Sequence, residues 1–319
     1  MDKQIETPLY QIYYKYHGVV KKVQVKDESK NISGSIKDRP ARMIIEDAYQ
    51  KGLIHQDTTI CEVTSGNMGI ALATIAKDYG NPVIICMPQF MSQERKEILN
   101  RLGVKLILTN SFEEAFQIAE KLAVEQQVFL TKQFENPNNA KAYIAFCKEL
   151  EKKTTEFPAV IAGVGTGGTI NGIGHYLKEK YQTKVYALEP LQTLILSTGI
   201  SHGHHRIEGL SDGFVPDLYP KDIVDQIISV DDNDAICMAQ KLKQKLGLNV
   251  GISSGANFIG AVMSDVDGII TVFPDDDTKY YSTDLMNVEL NSKLVDEIEL
   301  LYFEVIKENK KHIKLNQIV

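Results

Sequence analysis

The chain has 319 residues, 43% of them hydrophobic, and a formal net charge of −7. That length can bury a large core and is expected to divide into two domains, and the apolar fraction excludes a disordered chain. The acidic balance argues against nucleic acid or an anionic membrane as main partner, and no apolar run reaches the length of a bilayer span.

The four cysteines (Cys61, Cys86, Cys147, Cys237) are too dispersed for a disulfide frame or a cysteine metal site. Met1-Asp-Lys-Gln-Ile-Glu lacks the basic-then-apolar order of a signal peptide, so a cytoplasmic protein is expected.

Tyr10–Tyr16 and Val19–Asp27 alternate about His17-Gly18, which predicts an antiparallel hairpin. The stretch Asn31–Pro40 then places Lys37 after a Ser/Gly turn, at the opening of a helix that runs to Gln50. A helix start carries unpaired N–H groups and a partial positive charge, so an anion and a carbonyl could both be brought to this lysine. Such a position suits covalent amine chemistry. Taken alone, an exposed first-turn lysine is the plainer reading.

A βα rhythm follows: strand Thr59–Val63, helix Met68–Asp78, strand Pro82–Met87, helix Ser92–Leu102, strand Lys105–Leu108 and helix Phe112–Glu125. This alternation predicts an α/β fold whose parallel sheet is covered on both faces. The loop Phe134–Asn139 breaks the composition and divides the chain into domains 1–139 and 140–319. Beyond it come helix Ala140–Lys152, strand Ala159–Ala162, helix Thr169–Glu179 and strand Val185–Leu188. Gln192–Pro220, aperiodic and rich in glycine and proline, reads as a long functional loop. Strand Ile223–Val230, helix Asn233–Leu246, helix Ser254–Val262, strand Gly268–Phe273 and a charged helix over Ser292–Lys311 complete the expectation.

Two strand-to-helix junctions carry chemistry. In Gly163-Val-Gly-Thr-Gly-Gly-Thr169 the glycines let the backbone approach a phosphate at a helix N-terminus. Gly163, Gly165 and Gly168 also satisfy GxGxxG, with Glu189 ending the next strand, so a dinucleotide is the rival ligand. In Glu62-Val-Thr-Ser-Gly-Asn-Met-Gly69, Thr64, Ser65 and the backbone about Gly66 can hold a carboxylate. Asn67 can hydrogen-bond a ring oxygen. A turn capped by Ser65 or Asn67 explains the same residues equally well.

Ser35-Ile-Lys-Asp-Arg39, Thr64-Ser-Gly-Asn-x-Gly69, the 163–169 glycine loop and Gly251-Ile-Ser-Ser-Gly-Ala256 stand in an order and spacing that resembles the pyridoxal-phosphate-dependent cysteine synthases and the core of cystathionine β-synthase, from about Pro8 to Thr283. The resemblance implies a fold type II protein with the cofactor in the cleft between two domains, each a mostly parallel sheet flanked by helices. The hairpin 10–27 would cross onto the other domain, about 40–139 would form a mobile substrate subdomain, and the protein would be a homodimer.

By the same resemblance Lys37 carries pyridoxal phosphate on its amine and moves the α-proton. Asn67 sits beside the phenolic oxygen, and Gly165, Thr166, Gly167, Gly168 and Thr169 cup the phosphate. Thr64, Ser65 and Gly66 grip the substrate carboxylate with Gln133 nearby, and Gly209 lies on the rim.

The chain also departs from that pattern. Met68 stands where a threonine is usual, and its thioether cannot donate a hydrogen bond. Asp276 matches a serine that faces the pyridine nitrogen, where a carboxylate would favour the pyridinium and strengthen the electron sink. A solvated acidic turn, with the match slipped by one residue, is the alternative. In Asp231-Asp-Asn-Asp234 the carboxylates suit a helix start, and Asp232 is the candidate general base for water.

His202, His204 and His205 read as loop histidines rather than metal ligands. Tyr10, Tyr13, Tyr14, Tyr16, Tyr280 and Tyr281 read as core and interface aromatics. A haem-binding or tandem regulatory extension is not expected after Thr283.

These departures suit a substrate less activated than O-acetylserine. The expected reaction is cysteine plus water, or a thiol, giving serine, or a thioether, and hydrogen sulfide. Cysteine synthesis from O-acetylserine is the alternative, and a catalytically silent cofactor-binding partner the remote one.

Overall fold

The computed structural model describes residues 6–199 and 203–308. The chain opens with the hairpin β1 (Leu9–Tyr16) and β2 (Val19–Asp27), followed by α1 (Asp38–Gln50). A βα series follows: β3 (Ile60–Val63), α2 (Asn67–Tyr79), β4 (Val83–Pro88), α3 (Gln93–Arg101), β5 (Lys105–Thr109), α4 (Phe112–Gln126) and β6 (Phe129–Leu130). Then come α5 (Asn138–Lys141), α6 (Tyr143–Lys153), β7 (Ala159–Gly163), α7 (Gly168–Tyr181), β8 (Lys184–Pro190), the single turn α8 (Ile195–Thr198) and β9 (Gln226–Val230). The last elements are α9 (Asp232–Leu246), α10 (Ile252–Met263), β10 (Ile269–Phe273), α11 (Asp284–Asn287), α12 (Lys293–Glu297) and β11 (Glu299–Ile306).

The strands form two sheets. One is four-stranded, in the order β5-β4-β3-β6, and all its pairs are parallel. The other is seven-stranded, β11-β1-β2-β10-β7-β8-β9, parallel from β2 to β9 and antiparallel at the hairpin edge. The 10–27 hairpin thus belongs to the larger sheet. Strands β3, β4 and β10 are buried at every position, as parallel strands covered on both faces should be.

Helix α10 is buried along almost its whole length, and small residues allow that. A Cβ at Gly255 would lie 2.1 Å from the Ala235 carbonyl oxygen on α9, and one at Gly260 would lie 2.5 Å from Leu188. Because the strands run parallel, their C-terminal ends open together, and the loops after β3, β7 and β10 converge on one crevice.

One expected element is wrong. The helix predicted over Ser292–Lys311 is a single turn, α12, followed by the strand β11; its last residues, from 309, lie outside the described ones. Leu300, Tyr302, Phe303, Val305 and Ile306 pair across to β1, with Tyr13 and Tyr302 stacked at 4.5 Å and Tyr10 edge-on to Phe303 at 5.2 Å. Aromatic cross-strand pairs of this kind contribute about 0.2–1 kcal/mol each, enough to outweigh the weak helical period of the charges.

Candidate active site

Lys37 sits immediately before the first turn of α1, and its segment is fixed from the far side of the crevice. The Ile36 N–H donates to the Pro274 carbonyl at 2.8 Å, and Ser35 bridges Asp275. The Lys37 side chain makes no hydrogen bond to the described residues. Burial lowers the pKa of its amine, and Asp212 and Asp275 offset only part of that.

After β3 the backbone turns through Thr64–Gly66 into α2. The Thr64 hydroxyl accepts from the Gly66 N–H at 3.1 Å, and Ser65 lines the crevice. Gly66 has φ +143°, and a Cβ there would strike Arg95 Cδ at 2.2 Å, so the turn requires glycine. Met68 is buried in the first turn of α2 and also lines the crevice. The Asn67 Nδ2 donates to Asp275 Oδ2 at 2.8 Å, while its Oδ1 is buried without a partner among the described residues. Gln133 closes this side, its Nε2 donating to the Val63 carbonyl at 2.6 Å.

Opposite, Gly165, Thr166 and Gly167 line the crevice and lead into α7, a helix of 14 residues whose first-turn N–H groups lack intrahelical acceptors. Gly168 opens that helix and Thr169 faces the crevice. A Cβ at Gly165 would fall 2.1 Å from the Gly209 carbonyl oxygen, which keeps the loop and rim in direct backbone contact. Gly209 itself has φ +88° and stands at the mouth.

The carboxylates do not lie where the sequence suggested. Asp276 does not line the crevice: it caps a short turn, accepting from the Thr278 N–H at 3.1 Å, with Lys279 at 3.7 Å. Its neighbour Asp275, fully buried, reaches inward instead, taking Asn67 and the Tyr280 hydroxyl at 3.0 Å. Asp276 thus faces the short turn it caps, and it is Asp275 that contacts the crevice residue Asn67.

Asp232 is also occupied. It accepts from the Arg206 backbone N–H at 2.8 Å and from the Arg206 guanidinium at 2.6 and 3.0 Å. Burial would raise its carboxyl, but the Arg206 bonds outweigh that and hold it below the usual range. A carboxylate held so acidic and so fully engaged is a poor base for water.

The carboxylate that does face the lysine is Asp212, between Gly209 and Gly213 in the long loop. Burial pushes its pKa up to about 6, with Lys37 pulling the other way. Nearby, Arg95 pairs with Glu208 and lies 4.7 Å over the Tyr280 ring, forming the wall beside the Thr64–Gly66 turn.

The family model for pyridoxal-phosphate dependent enzymes matches residues 1–272. This chain is a pyridoxal-phosphate-dependent enzyme. It is 39% identical over 293 residues to cysteine synthase B of Campylobacter jejuni, covering 88% of this chain and 95% of that protein. It superposes on the hydrogen sulfide-producing enzyme of Fusobacterium nucleatum with a TM-score of 0.86 and 42% identity, over 95% and 96% of the two chains. A form of a hydrogen sulfide-producing enzyme with one aspartate replaced by asparagine, complexed with an α-aminoacrylate intermediate, gives a TM-score of 0.87 at 42% identity over 93% and 94%. The fold is the α/β architecture of this family, with parallel-rich sheets flanked by helices.

The enzyme's crevice fits that cofactor. Among the described residues it offers an amine with no hydrogen bond, a glycine-lined helix start where only the Thr166 hydroxyl, at 3.4 Å from the Gly168 N–H, meets the backbone donors, and a buried unpaired oxygen on Asn67 for a polar ring group. The dinucleotide alternative falls, and with it Glu189 as a ribose ligand: Glu189 accepts from the Leu196 N–H at 2.7 Å and the Ser197 hydroxyl at 2.5 Å.

Sequence reasoning overlooked Asp212, Asp275, Arg95 and Glu208. For Asp212 a signal existed, a lone acid between glycines in a loop already marked as functional. Among the described histidines, His204 and His205 line an outer chamber shared with Glu208 and Asp212; His202 lies outside the described residues. No cluster of metal-ligating side chains occurs among the described residues.

Proposed function

We propose that this enzyme releases hydrogen sulfide from L-cysteine and adds water at C3, giving L-serine. The carrying observation is Asp212, a half-buried carboxyl facing Lys37, with a pKa of about 6. Such a group is mostly ionised at neutral pH yet basic enough to take a proton from water, which is what a general base requires.

Bound at Lys37, pyridoxal phosphate supplies the electron sink that makes the α-proton of an amino acid acidic. Gly165, Thr166, Gly167, Gly168 and Thr169 would hold its phosphate, and Asn67, oriented by Asp275, would sit beside the ring. Thr64, Ser65 and the N–H groups about Gly66 hold the substrate carboxylate, with Gln133 supporting them and Met68 supplying only bulk. Lys37 Nζ, its basicity lowered by burial, takes the α-proton; the C3–S bond breaks and the sulfur leaves as hydrosulfide. Asp212 then removes a proton from water as the water oxygen bonds to C3, and Lys37 returns a proton to Cα. Cysteine and water are consumed, and serine and hydrogen sulfide are produced.

Cysteine synthesis from O-acetylserine is the second reading, supported by the likeness to the Campylobacter protein. Hydrosulfide is already an anion, however, and needs no base, and an ionised Asp212 would repel it. The relative with an aspartate replaced by asparagine, found with an aminoacrylate intermediate, supports an aspartate as a group the second half-reaction needs. Purified enzyme given cysteine alone, with sulfide and serine measured together, tests the choice. Equal yields of both support hydration; cysteine formation from O-acetylserine and sulfide without sulfide release from cysteine overturns it.

Three further points belong to this reading. The four-stranded layer, within about 40–139, is the substrate subdomain of the 1–139 half and closes over the cofactor-phosphate half, 140–319. The enzyme works as a homodimer, a reading in keeping with the exposed Tyr302 and Val305 on the edge strand β11, and light scattering at the mass of two chains checks it. A cytoplasmic location is proposed with it. Separately, no described helix is long and apolar enough to cross a membrane.

A further inference from the structure

The turn assigned to the substrate carboxylate and the loop assigned to the cofactor phosphate are joined through one side chain. Asn139, only 1% exposed, stands in the short helix α5, outside both loops. Its Nδ2 donates to the Gln133 carbonyl at 2.7 Å and to the Thr166 hydroxyl at 3.0 Å. A carbonyl can only accept, so the amide nitrogen must face Gln133 and the amide oxygen must turn the other way. That oxygen is buried without a partner among the described residues, against Gly168, where a Cβ would come within 2.2 Å.

Gln133 is gripped from its other side by β3. Its backbone N–H donates to Glu62 Oε2 at 3.0 Å, and its Nε2 donates to the Val63 carbonyl. Glu62, 3% exposed, also accepts the Val63 N–H at 2.7 Å and the Thr131 hydroxyl. Three donors to one buried carboxyl make a firm anchor directly beneath the Thr64–Gly66 turn. A continuous run of hydrogen bonds therefore leads from Glu62 through Gln133 and Asn139 to Thr166, crossing between the two loops.

We propose that Asn139 is a positioning residue that couples the cofactor-phosphate loop to the substrate-carboxylate turn, with Glu62 as the anchor at the far end. The proposal rests on the assignment of Thr64–Gly66 to the substrate carboxylate. An unpaired buried amide oxygen is costly, so Asn139 is worth holding there only for what its two donated bonds connect. Phosphate binding that draws Thr166 into place also fixes Gln133, and the turn that Gln133 supports is then ready for an amino acid. Such coupling is reciprocal: a substrate held at the turn must strengthen the grip on the cofactor by the same factor.

The test uses the full chain and the variants Asn139→Ala, Glu62→Gln and their combination. Cofactor affinity is read by absorbance as pyridoxal phosphate is titrated into cofactor-free protein. KM and kcat are read with cysteine or O-acetylserine, whichever the unaltered enzyme turns over. Asn139→Ala is expected to weaken cofactor affinity and raise KM about tenfold each, with kcat within about threefold. Glu62→Gln is expected to raise KM about tenfold. The double variant should be no worse in KM than the poorer single variant, since both break one chain of bonds.

Loss of cofactor affinity in Asn139→Ala with an unchanged KM overturns the coupling, as does a double variant whose KM effects multiply. Should Asn139→Ala fail to fold, Asn139→Asp, which sets a carboxylate against the Gln133 carbonyl, must show the same paired losses. An unaltered enzyme that acts on neither amino acid counts against the proposed function, a result separable from either outcome for the coupling.

Discussion

Asp212 and Lys37 face one another in the crevice, each shifting the other's proton while burial opposes charge on both. Burial dominates: the Lys37 amine is less basic than usual and the Asp212 carboxyl less acidic, at about 6 against an ordinary 3.8.

That shift has a consequence for stability. A carboxyl raised on folding binds more protons folded than unfolded between about pH 4 and 6, so stability falls as pH rises through that window and stays lower above it. Asp212→Asn removes the penalty. Cofactor-free Asp212→Asn should be more stable than the unaltered protein at pH 7, on the order of 1–2 kcal/mol, with the gain vanishing near pH 4. Urea unfolding at the two pH values checks it; an equal gain at both would show that charge is not the cause.

Asp275 and Asp276 should behave oppositely despite being neighbours. Asp276→Ser keeps a side chain able to cap the 277–279 turn and should leave the bound cofactor's spectrum and the turnover rate unaltered. Asp275→Ala strands the half-buried Asn67 amide and the buried Tyr280 hydroxyl, at a cost of about 1–3 kcal/mol. It should also shift the spectrum, because Asn67 loses its orientation. Visible absorbance and thermal melts of both holoenzymes decide.

Asp232→Asn should spare the chemistry. The Arg206 clasp would weaken, lowering stability by about 1–2 kcal/mol at pH 7, while serine formation stays within about threefold of normal. Because Arg206 holds this carboxyl below its ordinary value, its stabilising effect is present at neutral pH and is lost as pH falls through the folded value. A large drop in rate at full cofactor occupancy would return Asp232 to the mechanism.

Two residues beyond Lys37, the buried Arg39 donates to Glu28 at 2.6 and 2.8 Å and to Glu149 at 2.8 and 2.9 Å, with Lys26 on Glu149 at 2.6 Å. Removing one member leaves buried charge unpaired. Arg39→Ala should cost about 3–5 kcal/mol, measured by denaturant unfolding. A loss under about 1 kcal/mol would mean that water reaches the cluster.

Much of this enzyme was legible in its residues. Lys37, Asn67 and the 163–169 loop stand out because glycine-rich turns between a strand and a helix have few other uses, and they do converge on one crevice. The proposed base was not legible. Asp232 and Asp212 look alike as letters, and only the Arg206 guanidinium, 26 residues from Asp232, tells them apart. Asp275 and Asp276 pose a similar problem, since neighbouring residues in a loop point to opposite sides and no periodicity says which one reaches Asn67. Over 293–311 the charges follow a helical period, but the strand β11 within it depends on β1, nearly the whole chain away.

The most direct test of Asp212 as the water base is one reaction, cysteine alone with the Asp212→Asn holoenzyme, following sulfide and serine together. The account predicts a rapid release of about one equivalent of sulfide per site, then serine formation slowed on the order of 10²–10⁴-fold. Serine appearing at the unaltered rate would contradict it.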